Sequence, residues 1–260
     1  MILFDIREIH RYEKPDSLRW RIDMKNIAAI IPAYNPQQSL ITYVHQLLAT
    51  TITQIIIVND GSDQKYKGIF EDLKKIEGCQ VLQHDDNIGK GGALKTAFAY
   101  IREQKSLCHG VLTVGAHGQH TVQDVKLVLT MTKVFSEGIV LGVRNFHSAD
   151  STFLSYWGNR ATSLFFELLY HRKLMDTQTG LRYISINELP WLMKIKGDHY
   201  DYDTNMLIAA LKRKCPIFEV EIGQLRIKKN TIIQYDEITN ASSIIRRMLM
   251  NYLKPRNNDD

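Results

Sequence analysis

Four short apolar runs, each closed by a polar turn, constrain this chain more than any other feature. The first is I-A-A-I-I at 27–31, ending in Pro32-Ala33-Tyr34-Asn35-Pro36. The second is Q-I-I-I-V at 54–58, ending in Asn59-Asp60-Gly61-Ser62-Asp63. A third run near 80–83 leads into Asp85-Asp86-Asn87-Ile88-Gly89-Lys90-Gly91-Gly92, and V-L-T-V at 111–114 leads into Gly115-Ala116-His117-Gly118. Runs of this length, rich in β-branched residues, make buried parallel strands. Helical patterns separate them, from Ser39 to about 49, over 67–76, over 90–102 and over 121–135, before another strand at 138–142. Such alternation predicts βαβ units and a parallel sheet covered on both faces. Ligands of such sheets sit beyond the carboxyl ends of the strands, where all of these turns would gather.

Past Arg144 the rhythm changes. A long helix is expected over 156–171, with Trp157, Ala161, Leu164, Phe165, Leu168 and Leu169 on one face. The stretch D-T-Q-T-G-L-R at 176–182 follows, then a helix around 203–214 and a strand at 217–222. From Ala241, Ile244, Ile245, Met248, Leu249, Tyr252 and Leu253 recur at helical spacing beside Arg246, Arg247 and Lys254. That pattern suits either a helix lying in a membrane interface or one packed on its own domain. The expected organisation is an extension at 1–25, one domain at 26–240 and an amphipathic helix and tail at 241–260. The domain divides at the change of rhythm into a ligand-binding half at 26–143 and a second half at 144–240.

With 260 residues, 44% of them hydrophobic, the chain can bury a sizeable core. No sequence run approaches the roughly 18–20 apolar residues that cross a bilayer, and Asp5, Arg7 and Glu8 break the apolar start, unlike a signal peptide. A cytoplasmic protein is expected. The net charge of +5 favours acidic partners, but no basic stripe interleaved with aromatics points to nucleic acid. Cys79, Cys108 and Cys215 lie far apart and read as reduced thiols.

Asp60, at the end of a buried strand and followed by glycine, has the chemistry to accept hydrogen bonds from a ribose hydroxyl or a base N–H. Asp-Gly-Ser is also an ordinary turn, and only its nearness to the 32–36 loop favours a binding role. The glycines and lysine at 87–92 invite a phosphate reading, but Leu94 stands where both the Walker loop and G-x-G-x-x-G require glycine.

Taken in order, these pieces resemble the family 2 glycosyltransferases, in the branch containing dolichol-phosphate mannosyltransferase and dolichyl-phosphate glucosyltransferase. The matching pieces are Ile30-Ile31-Pro32-Ala33-Tyr34-Asn35, Val58-Asn59-Asp60-Gly61-Ser62, Asn87-Ile88-Gly89-Lys90-Gly91, Gly118-Gln119-His120, the 176–182 stretch and Tyr202-Asp203-Thr204-Asn205-Met206-Leu207. The resemblance spans about 26–222 and implies an α/β GT-A fold, a Rossmann-like and mostly parallel central sheet with helices on both faces, whose nucleotide-sugar-binding half is 26–143 and whose acceptor half is 144–240. It implies a donor pocket for a nucleotide-sugar made by Pro32, Ala33, Tyr34, Asn35, Asp60, Gly61, Lys90 and Gly91. It also implies a catalytic set of Arg182, Arg144 and Asp176, with Arg182 facing phosphates as a bidentate fork.

One departure stands out. Where the family carries D-x-D-G-Q-H, this chain reads Gly115-Ala116-His117-Gly118-Gln119-His120, and both acids are gone. Mg²⁺ prefers oxygen ligands, so His117 and Gln119 make a poor site for it; Mn²⁺ tolerates imidazole better. Without an ion, Lys90, Arg144, Arg160 and Arg182 are the candidate fixed cations. A second departure is Gly223-Gln224-Leu225-Arg226, where the family has an aromatic or hydroxyl-bearing run. The expected activity is transfer of a hexose from a UDP- or GDP-linked donor to a polyprenyl phosphate or cell-envelope glycan precursor. The protein would work at the inner face of the membrane, with or without a membrane-protein partner. The alternative is an impaired relative that binds nucleotide-sugar or a partner without turnover.

Overall fold

The computed structural model of the chain describes residues 26–104, 108–144, 153–199 and 201–223, together with Arg246. The expected extension at 1–25 and, Arg246 apart, the amphipathic tail at 241–260 lie outside the described residues. The strands are β1 (Ile27–Ala33), β2 (Ile52–Asp60), β3 (Cys79–His84), β4 (Gly110–Thr113), β5 (Ile139–Arg144), β6 (Arg182–Ser185) and β7 (Ile217–Ile222). The main helices are α1 (Ser39–Leu48), α2 (Lys67–Lys74), α3 (Lys90–Glu103), α4 (Val122–Met131), α5 (Phe153–Tyr170), the short α6 (Leu189–Leu192) and α7 (Asp201–Lys212).

The strands form one seven-stranded sheet in the order β3-β2-β1-β4-β6-β5-β7. β1 pairs in parallel with β2 on one side and β4 on the other, and β3 continues the parallel edge. β6 runs antiparallel between β4 and β5, and β7 is parallel to β5. Strand order reverses at β1, so the crevice beyond β1 and β4 is the topological switch point where doubly wound sheets bind ligands.

Both faces of the sheet are covered, which is why the strands read as continuous apolar runs rather than alternating ones. Ile30, Ile56 and Val111 point into a core completed by Phe98 of α3, Phe166 of α5 and Tyr202, Met206 and Leu207 of α7. Their neighbours Ile31, Ile57 and Leu112 point the other way, against Leu40 and Val44 of α1, Phe70 of α2 and Val125 and Val128 of α4. Each fully buried isoleucine stabilises the sheet by about 1.5–3 kcal/mol. α4 begins with a capping box: Thr121 accepts from Asp124 N–H and the Asp124 carboxylate accepts from Thr121 N–H.

Two expectations need correction. β6 had no strand signal, because R-Y-I-S is four residues long and opens on an arginine. Its placement between two buried strands, not its own pattern, makes it extended. The expected core face of the 156–171 helix is also turned: Leu164 and Leu168 are 63% and 68% exposed, whereas Phe166 and Thr162 are fully buried. The helix packs on the side that carries Phe166, with Leu169 partly buried against the same core, while Leu164 and Leu168 face outward. Among the described residues, no helix is long and apolar enough to cross a membrane.

Candidate functional site

The loops at the ends of β1 and β2 are stitched together. Asn35 N–H donates to Ser62 Oγ at 2.9 Å, and Asp63 N–H donates to Asn35 Oδ1 at 2.9 Å. Asn35 holds a left-handed backbone (φ 49°), which its short polar side chain tolerates. Tyr34 stands exposed at the lip, with Pro32 half-buried and Ala33 buried behind it. Asn59 and Asp60 are buried. Asp60 Oδ1 accepts from Ile88 N–H at 3.1 Å and lies 2.8 Å from His84 Nδ1, while its Oδ2 accepts from Gly89 N–H at 2.9 Å. The carboxylate expected to meet the donor therefore shapes the 84–89 loop, which forms one wall of the crevice. Gly61 allows that wall to close: a Cβ there would lie 2.3 Å from the Asp86 carbonyl carbon.

The glycines opening α3 serve packing. Gly92 N–H donates to Asp198 O at 3.0 Å, and a Cβ on Gly91 would fall 2.6 Å from Tyr202 Cβ. The helix start is thus covered by the 198–202 segment, and Gly91, expected in the donor pocket, lies buried beneath Tyr202. Lys90 is placed differently: its Nζ donates to Asp203 Oδ2 at 2.5 Å and keeps a quarter of its side chain exposed (25%).

The segment before β6 brings further groups to the same edge, because an antiparallel strand begins where its neighbours end. Asp176 is fully buried and accepts Arg144 Nε at 2.5 Å and Nη2 at 2.9 Å, a bidentate pair. Burial alone would raise the Asp176 carboxyl, but the Arg144 charge and its hydrogen bonds outweigh it and hold the pKa below the ordinary value. Arg182, expected to face phosphates, is the bulkiest of the fully buried side chains. Its Nε donates to Thr179 O at 2.8 Å, Nη1 to Asp203 O at 2.8 Å and Nη2 to Thr177 O at 3.1 Å. All of its nitrogens face the protein, so no phosphate reaches it without opening this network. Asp203 Oδ1 also lies 3.6 Å from Arg182 Nη1, and so bridges the buried arginine and the exposed lysine.

Gly180 is the floor between these groups: a Cβ on it would lie 3.5 Å from Lys90 Nζ and 3.6 Å from His120 Nε2. Thr113 Oγ1 anchors it by donating to Gly180 O at 2.8 Å. His120 is 2% exposed, and its Nδ1 has no hydrogen-bond partner. Burial, then the nearby Arg144, push its pKa down to about 4, so the ring is neutral near neutral pH. Asp124, one turn on, accepts Gly223 N–H at 2.8 Å, which pins the end of β7 against the cap of α4. Sequence reasoning had not assigned roles to Asp203, Asp124 or His120; Asp203 and His120 were marked only by their position inside the quoted stretches, and Asp124 by nothing.

The 115–119 turn does not fit a hard divalent ion. His117 is exposed, and Gln119 Oε1 is folded over Gly115, where a Cβ would meet it at 2.6 Å. The acids around it, Asp124, Asp176 and Asp203, are each engaged by the cap, by Arg144 and by Lys90. Among the described residues no group of three or more histidine, cysteine or acidic side chains converges. Mg²⁺ and Mn²⁺ sites are built largely from carboxylate and other oxygen donors, which this turn lacks. Arg160, on α5, is exposed.

A mostly parallel sheet in this order, with its crevice at the β1–β4 switch point and cationic groups on the crevice floor, defines the nucleotide-sugar-dependent transferases of the GT-A type. The chain belongs to glycosyl transferase family 2, whose profile matches residues 28–189. It is 30% identical over 218 residues to the UDP-N-acetylglucosamine–dolichyl-phosphate N-acetylglucosaminyltransferase of Methanococcus voltae, covering 76% of this chain and 85% of that protein. It is 25% identical over 216 residues to a dolichyl-phosphate β-glucosyltransferase of Trichomonas vaginalis, covering 75% of this chain and 64% of that one. Among solved structures, glucosyl-3-phosphoglycerate synthase of Mycobacterium tuberculosis, in complex with Mn²⁺, UDP and phosphoglyceric acid, superposes with a TM-score of 0.65. That match has 16% identity over 90% of this chain and 80% of the other, and it establishes the shared fold.

Proposed function

We propose that this glycosyltransferase moves a hexose or N-acetylhexosamine from a nucleotide-sugar to a polyprenyl phosphate. The observation that carries the reading is the convergence of Lys90 Nζ and His120 Nε2 over Gly180, at the open edge of the β1–β4 crevice. The relatives named for transfer to dolichyl phosphate support the acceptor class. The base and ribose lie between the Tyr34 lip and the 84–89 wall, and the diphosphate extends toward Lys90 and Arg144. An acceptor phosphate, with its second pKa about 6, is already largely ionised near neutrality and needs no general base. The chain's own work is therefore to align that oxygen with the anomeric carbon and to stabilise the leaving nucleoside diphosphate. Neutral His120 presents one donor and one acceptor nitrogen to the floor. The protein meets its lipid acceptor at the membrane surface, alone or beside a membrane-protein partner.

The test is transfer of radiolabelled sugar from UDP- and GDP-sugars to polyprenyl phosphate in vesicles, read as label entering the organic phase. Label appearing with one donor supports the reading. Tight donor binding with no transfer to any lipid phosphate would favour the second reading, a family member that binds without turnover. The Arg144–Asp176 pair is the observation on that side, because it commits that cation to a fully buried carboxylate.

A further inference from the structure

The donor set at the 115–119 turn and the cations on the crevice floor belong to one device. We propose that the nucleoside diphosphate is held here without a divalent ion, its charge met by Lys90, which exchanges its carboxylate partner for phosphate, and by Arg144, which keeps Asp176. This rests on the nucleotide-sugar reading above and deepens it.

Two sets of observations carry it. At the turn, the positions able to offer an ion its oxygens hold Gly115 and an exposed imidazole, and the remaining amide oxygen is folded onto Gly115. The acids nearby are committed: Asp124 accepts Thr121 N–H and Gly223 N–H, and Asp176 is closed by both nitrogens of its arginine. On the floor, Lys90 and Arg144 keep exposed surface. The Lys90 side chain is 25% exposed and that of Arg144 is 14% exposed, whereas Arg182 is 1% exposed. Each sits on a carboxylate that keeps it extended and in place. Asp203 retains Arg182 when Lys90 leaves, so the pair opens without stranding a buried charge. Phosphate oxygens suit Lys90 as a point charge, and the Arg144 guanidinium adds its charge without leaving Asp176.

The experiment is calorimetric titration of UDP and of GDP into the full chain, once in EDTA and once in MnCl₂. The expected result is that one nucleotide binds with affinities within about twofold in the two buffers. Binding that weakens more than about tenfold in EDTA overturns the inference and leaves the nucleotide-sugar reading standing. No binding of either nucleotide in either buffer overturns both. A second arm assigns the charge. Lys90→Gln should weaken the diphosphate about tenfold or more in EDTA, leave the matching nucleoside unchanged, and be partly rescued by Lys90→Arg. Equal loss for nucleoside and diphosphate overturns the role of Lys90. If Lys90→Gln does not fold, added salt replaces it: wild-type affinity for the diphosphate must fall with ionic strength while that for the nucleoside does not.

Discussion

Arg144 holds Asp176 through two parallel hydrogen bonds, Nε to Oδ2 at 2.5 Å and Nη2 to Oδ1 at 2.9 Å, and the carboxylate has no exposed surface. A backbone contact extends the grip, since Gln178 N–H donates to Asp176 Oδ1 at 3.1 Å. The pair joins the end of β5 to the segment that leads into β6, across a gap of 32 residues. It therefore fixes the crevice floor as well as a cation.

Acid should loosen this floor. The folded pKa of Asp176 lies below its ordinary 3.8, so its contribution is present above that value and is lost as pH falls through the lower folded pKa. Asp176→Asn should cost about 3–5 kcal/mol at neutral pH, because it removes the buried carboxylate charge from beside the Arg144 guanidinium. It should also flatten the fall in stability between pH 5 and pH 2. Urea unfolding across that range checks both, and an unchanged acid profile in the variant would show that other carboxylates carry the transition.

Arg182 gives the second prediction. Replacing it by methionine of similar reach leaves the Thr177, Thr179 and Asp203 carbonyls without their donors and removes one of the two cations on Asp203. The expected loss is about 3–5 kcal/mol of stability, the range for breaking a buried ion pair. Lysine should not rescue it, because one ammonium cannot span three separate carbonyls. A variant that unfolds like wild type yet loses turnover would mean that the guanidinium faces phosphate after all.

Much of the fold was legible because β1, β2 and β4 are runs of β-branched residues closed by turns, a pattern with one physical solution once both faces are buried. β6 was not legible, since nothing within R-Y-I-S distinguishes a strand from a loop; its neighbours impose the conformation. The outward stripe on α5 was misread for a related reason: Leu164, Phe166 and Leu168 are all apolar, and periodicity cannot say which side of a hydrophobic helix finds the core. The loops of the site were found by sequence, but the direction of each charged group was not. Whether Arg182 points out of the sheet or into it depends on Asp203, 21 residues away, and on the strand direction of β6.

The α5 orientation is tested directly by three substitutions. Phe166→Ala should cost about 3–5 kcal/mol through lost burial and the cavity left behind. Leu164→Ser and Leu168→Ser, at exposed positions, should each stay within about 0.5 kcal/mol of wild type. Denaturant midpoints for the three variants decide it, and a large loss at Leu168 would mean that this stripe is covered in solution.

Asp60 gives the last prediction, because its carboxylate organises a wall without itself reaching the crevice. Ile88 and Gly89 N–H groups and the His84 ring converge on it, and His84 Nε2 lies 3.0 Å from Thr96 Oγ1 on α3. Asp60→Ala removes the acceptor for the buried Gly89 N–H and the part-buried Ile88 N–H, at a cost of about 1–3 kcal/mol for the buried donor left unsatisfied. The sheet itself should survive, since Ile55, Ile56, Ile57 and Val58 of the same strand remain fully buried. The 84–89 loop should open, raising its amide exchange and its cleavage by proteases while the strands stay protected. Nucleotide binding should fall with it, and the loss should be as large for the bare nucleoside as for the diphosphate. That equality separates a wall that shapes the base pocket from Lys90, whose loss should be felt by the diphosphate alone. Exchange mass spectrometry and calorimetry on the same variant settle the matter: lost nucleoside affinity with an unchanged 84–89 loop would show that Asp60 meets the ligand directly.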